Sequence, residues 1–151
     1  MGFLDFMRPP AYGDPVVGVL VRRGRYWRGT MRLGSVSGVP LLLAGPRTAP
    51  EEPRVALARE LGDRYAALRP AIERALFEHY EPYADAAEPD LARLRRSEQV
   101  WGHVAPVHVR IEPLGGLETV EIAYRTDWDT EHTVGARFQG WVLTELNGSV
   151  V

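Results

Sequence analysis

The sequence contains no cysteine and no lysine; its 18 basic residues are all arginine. Without thiolates there is no disulfide framework, no cysteine nucleophile and no iron–sulfur or thiolate zinc site. Without a lysine amine, Schiff-base catalysis and a lysine-bearing phosphate loop are excluded as well. Long apolar runs are also missing. Met1 to Met7 is interrupted by Asp5, lacks a basic start and meets Arg8-Pro9-Pro10, so it is too short for a secretory core or a membrane span. Phe6 stands where a myristoylation signal starting at Gly2 requires Ser or Thr. The chain reads as soluble and cytoplasmic, with no membrane association.

What is present suits a packed protein. The 151 residues are 45% hydrophobic and 25% charged, which predicts a single domain over residues 1–151 with its own core. The rich use of Ala, Arg, Gly and Pro resembles that of a GC-rich bacterial genome.

Charge is segregated. Residues 1–50 carry seven Arg and two Asp, a net of +5, whereas residues 101–151 carry three Arg and seven acidic residues, a net of −4. Arg22, Arg23, Arg25, Arg28 and Arg32 interleave with Tyr26 and Trp27, a pattern that could serve nucleic-acid stacking. Hairpin alternation explains it better: Val17, Val19, Val21, Trp27 and Met31 face inward, leaving Arg22, Arg28 and Arg32 in solvent. With an acidic chain overall, no nucleic-acid partner is expected.

The periodicity changes twice. Val16 to Val21, Tyr26 to Leu33 and Val39 to Ala44 read as an antiparallel three-stranded meander within residues 14–45. Leu57, Leu61, Tyr65, Leu68, Ile72, Leu76, Tyr80 and Tyr83 then recur at three- and four-residue spacings, an apolar helical stripe within residues 50–96. Thr48 and Glu51 have capping-box spacing, but Pro53 places the helix start closer to itself. Pro70 predicts a kink or break. Pro82 and Pro89 predict the end of the helical region, with a short further helix over Pro89 to Arg95. Beyond Trp101 the period returns to two: Val107, Val109 and Ile111; Val120, Ile122 and Tyr124; Val134, Ala136 and Phe138; then Trp141 to Leu146. These give a four-stranded antiparallel C-terminal sheet over residues 101–150. The expected class is α+β, with a long kinked helical segment between meander and C-terminal sheet, the seven strands forming one sheet or two.

Few segments carry recognisable chemistry. Gly34-Ser35-Val36-Ser37-Gly38 lacks the central serine of a nucleophile elbow and reads as a turn. No glycine-rich loop joins a strand to a helix, so no nucleotide cofactor is expected, and no other cofactor is implied. His79, between Glu78 and Glu81, reads as part of a solvated helix face, because neighbours one or two apart do not converge. His108 alternates with Val107 and Val109 and faces away from the core. The densest polar cluster is Trp128, Asp129, Thr130, Glu131 and His132, flanked by Asp127. It admits two readings. In one, Asp129 caps backbone amides of a tight turn, a carboxylate orients His132, and Trp128 packs over the turn. In the other, Asp129, Glu131 and His132 bind a metal together with a remote ligand such as His103 or His108.

Trp128, Asp129, Glu131 and His132, followed by Val134, Gly135, Ala136, Arg137 and Phe138, resemble a bacterial family of uncharacterised small domains with a Trp-Asp-x-Glu-His signature in the C-terminal half. Gly18 and the Trp27 to Gly29 segment are similar to the family's N-terminal half; Thr133 departs from the family's glycine after the histidine. The resemblance implies no established reaction, cofactor or partner. The leading functional reading is therefore a non-catalytic protein-interaction domain of immunity or regulatory type, docking through an acidic C-terminal surface around Trp128, Asp129, Glu131 and His132. The alternative is a metal-binding protein or hydrolase using the same segment.

Overall fold

The computed structural model describes residues 8–86 and 90–150. The readings of Met1 to Met7 and of Pro89 lie outside the described residues. The strands are β1 (Ala11–Asp14), β2 (Gly18–Arg23), β3 (Tyr26–Leu33), β4 (Val36–Ala44), β5 (Val104–Leu114), β6 (Leu117–Thr126), β7 (Thr133–Gln139) and β8 (Val142–Val150). The helix α1 (Glu52–Asp85) and a 3₁₀ helix (Ser97–Gly102) lie between β4 and β5.

All eight strands form one sheet in chain order, which corrects the expected meander with a separate four-stranded sheet. Neighbours are antiparallel except β4 and β5, which pair in parallel through Leu41↔Val109, Leu42↔Arg110 and Leu43↔Ile111. The physical reason is the crossover. A parallel pair needs a long connection, and α1 supplies it, so the helical stretch joins the two strand groups instead of dividing them.

A kink or a break was expected at Pro70, and the break does not occur: the helix is continuous. It runs for 34 residues through Pro70 and Pro82. Each proline withdraws the hydrogen-bond donor from the carbonyl four residues back, here Ala66 and Glu78. Both prolines and both of those residues are exposed, so water can take the orphan carbonyls. Ile72, Leu61, Leu76, Tyr65 and Tyr80 of the stripe are buried, with Val55 and Ala58 beside them. Residues 90–95 carry no helix; the short helical turn falls at Ser97–Gly102 instead.

The N-terminal register slips from the expected one. Asp14 Oδ2 accepts the amides of Val16 (3.0 Å) and Val17 (2.8 Å), so these residues form a turn. The strand then starts at Gly18, whose φ is +87°; Leu20 becomes the buried residue and Val19 is left 66% exposed. Arg22 lies on the same face as Leu20 and is half-buried, donating to the Gly45 carbonyl through Nε and Nη2. Arg28 and Arg32 are exposed, as expected.

The face packed on α1 holds Trp27, Leu41, Leu43, Val109, Ile111, Ile122, Tyr124, Val134, Ala136 and Phe138. Across the other face runs one register row: Arg28, Leu42, Arg110, Glu121, Arg137 and Glu145. Glu121 is buried, with one carboxylate oxygen on Arg110 Nη2 (2.8 Å) and the other on Arg137 Nε (2.6 Å). Among the described residues, no helix is long and apolar enough to cross a membrane.

Candidate functional site

The Trp128–His132 segment joins β6 to β7, and the last two turns of α1 pack against it. Its conformation follows from Asp129. Asp129 Oδ1 accepts the amides of Glu131 and His132, each at 3.2 Å, while its own amide donates to Thr126 Oγ1 at 3.1 Å. Asp129 Oδ2 accepts the Tyr83 hydroxyl at 2.8 Å, and His132 Nδ1 lies 3.1 Å from both carboxylate oxygens. One buried carboxylate thus serves two backbone amides, a phenol and an imidazole.

Trp128 closes the turn from the inside. It is buried, its ring set edge-on to Tyr80 at 5.4 Å between centroids. Its indole Nε1 donates to His79 Nδ1 at 2.9 Å. His79 also lies against Tyr83, with centroids 5.5 Å apart. On the outer side, Asp127 Oδ2 lies 3.0 Å from His103 Nδ1, and Asp127 N donates to the His103 carbonyl at 2.9 Å.

The surroundings shift three groups. Burial pushes the Asp129 carboxyl upward, but hydrogen bonds from Tyr83 and His132 outweigh it and leave the group below its ordinary value. The same bond to Asp129, with burial, raises the Tyr83 phenol. Burial lowers His79, against the pull of Asp129.

The segment opens on a cavity of about 430 Å³ lined by Tyr83, Asp90, Leu91 and residues 127–132. Asp90, Asp127 and Glu131 are exposed on it. The Glu131 side chain makes no hydrogen bond or ion pair among the described residues, so Asp129 and His132 are brought together and the Glu131 carboxylate is not. No group of three or more His, Asp or Glu placed to hold a metal ion occurs among the described residues. His108 lies on the helix-free face of the sheet, away from this cavity.

Two participants escape the sequence reading. His79 is half-buried and bonded to Trp128, which corrects its assignment to a solvated face, and Tyr83 turns out to bind Asp129 as well as extending the apolar stripe. The signal was the buried tryptophan: its N–H requires an acceptor when removed from water, and His79 and Tyr83 lie four apart on the edge of the Leu76–Tyr80 stripe.

Residues 26–149 match a domain of unknown function, DUF6985. The chain belongs to the DUF6985 family. The DUF6985 match begins at β3 and includes the helix, the crossover pair β4–β5 and the whole Trp128–His132 turn. No curated protein and no solved structure matches the chain.

Proposed function

We propose that this DUF6985 domain is a non-catalytic protein-interaction domain, of immunity or regulatory type, that receives a basic segment of a protein partner at the Trp128–His132 turn. The observation that carries the reading is the division of labour among the carboxylates. Asp129 is spent on four donors of its own chain, while Asp127, with its side chain 68% exposed, Asp90 and Glu131 surround the cavity. A braced turn that holds exposed carboxylates in place loses little entropy on binding, and its negative field favours a cationic partner over a nucleic acid. The bacterial and cytoplasmic parts of the reading rest on sequence: the Ala-, Arg-, Gly- and Pro-rich usage, the Trp-Asp-x-Glu-His signature, and a cysteine-free chain compatible with a reducing compartment.

A second reading draws on one feature. His132 is half-exposed and held through Nδ1 by Asp129, an arrangement that leaves Nε2 available as a base or a metal ligand, as in a hydrolase.

Retention of proteins from source cells by the immobilised wild-type chain and by the D127K/E131K variant tests the proposal. A stoichiometric partner held by the wild type, eluted by salt and lost with the variant is expected. Equal retention by both chains overturns it, and an ester-hydrolysis rate abolished by H132Q would establish the second reading in its place.

A further inference from the structure

A second cavity, of about 220 Å³, lies between the middle of α1, the β3–β4 turn and the start of β5. It shares no lining residue with the cavity at Trp128–His132. Its lining includes Tyr65, Arg69 and Tyr124. Tyr65 and Tyr124, both buried, meet hydroxyl to hydroxyl at 3.0 Å. A hydroxyl has one proton to donate, so in this pair one tyrosine donates to the other and the second proton has no acceptor among the described residues. Arg69, one turn along α1 from Tyr65, lies over the Trp101 ring at 4.2 Å from its centroid. It has no carboxylate partner among the described residues. Trp101 is itself held by Nε1 donating to Glu73 Oε1 at 2.8 Å, and its ring meets that of Tyr124 edge-on at 6.2 Å.

The cavity therefore combines a guanidinium with no carboxylate partner among the described residues, an unspent buried phenol proton and apolar lining residues that include Val36, Val104 and Pro106. Both donors suit an anion, and the walls suit an apolar body. We propose that this cavity is a binding site for a small organic carboxylate, its carboxylate on Arg69 and the Tyr65 hydroxyl and its apolar part against Trp101, Val36 and Val104. Burial raises both phenols, and Tyr124 strongly, so at neutral pH they remain protonated donors. The volume corresponds to about seven waters at ~30 Å³ each, room for a molecule the size of benzoate.

The test is titration of the full ¹⁵N-labelled chain with benzoate, read at the Trp101 indole resonance, beside benzyl alcohol and inorganic phosphate. A saturable benzoate shift is expected, with affinity reduced about tenfold or more for benzyl alcohol, for phosphate and for R69Q, since each removes either the charge pair or the apolar contact. V36W, at an exposed position on the lining, should fold normally and block entry. The proposal is overturned by no saturable benzoate shift up to about 10 mM, by unchanged benzoate binding in R69Q or V36W, or by phosphate or benzyl alcohol binding as tightly as benzoate.

Discussion

Trp128 and His79 are joined by one hydrogen bond in which the indole donates and imidazole Nδ1 accepts. An indole N–H has no acceptor capacity, so Nδ1 carries no proton and neutral His79 is protonated at Nε2. Protonation of His79 removes this acceptor from a buried tryptophan.

A pH dependence follows with a definite sign. Burial lowers His79 in the folded chain, so the unfolded chain takes up the proton first. Stability is full above the unfolded value of about 6.5 and falls as pH drops through it towards the lower folded value. His108 is lowered by burial as well and adds to the same slope. Urea unfolding at pH 7.5 and pH 5.5 checks this. H79N, which keeps an acceptor near Nδ1 but does not titrate, should retain folding and show a smaller loss at pH 5.5, with His108 supplying the remainder.

Asp129 acts in a lower window. Its folded value lies below the ordinary carboxyl value, so the stabilisation it supplies is present above about pH 3.9 and is lost as pH falls through the folded value. Acid titration of D129N followed by circular dichroism should lose this component of the acid transition.

Leu76 lies fully buried under the sheet on the helix stripe. L76A should cost about 2–5 kcal/mol in denaturant unfolding. A loss below about 0.5 kcal/mol, the range of ordinary surface changes, would place the stripe elsewhere.

The row of charges on the helix-free face depends on a glycine. A Cβ at Gly135 would stand 2.7 Å from Val150 Cγ2 and 2.9 Å from Glu121 Cδ. G135A should therefore lower stability by about 1–3 kcal/mol through overpacking. E121A removes the carboxylate that Arg110 and Arg137 share, but Arg110 keeps Glu112 and Arg137 keeps Glu145, so the cost should be that of lost charge-assisted hydrogen bonds, about 1.5–3 kcal/mol. Thermal unfolding of the two variants measures both effects.

Much of the fold was legible because periodicity reports burial directly. The stripe from Leu61 to Tyr80 and the alternation in Val120, Ile122, Tyr124 and in Val134, Ala136, Phe138 fall where the pattern puts them. What was not legible depends on contacts far apart in sequence. Nothing local in Leu41–Leu43 specifies Val109–Ile111 as a parallel neighbour, so the sequence left one sheet or two open. The cost of Pro70 depends in part on whether its orphan carbonyl is solvated, and local sequence does not reveal that Ala66 is exposed. At the candidate site, the Asp129 turn was visible in short-range spacing, whereas His79 and Tyr83 reach it from 46 residues or more away.

Asp129 is bound by four donors of its own chain, and the reading of a braced turn requires that it hold that turn in place. Urea unfolding of D129A tests it most directly. Removal of the carboxylate strands the Tyr83 hydroxyl, the His132 ring and two amides, so the account predicts a loss of about 1–3 kcal/mol or more. Unchanged stability, within about 0.5 kcal/mol, would contradict the account and mark the carboxylate as free for catalysis or metal binding.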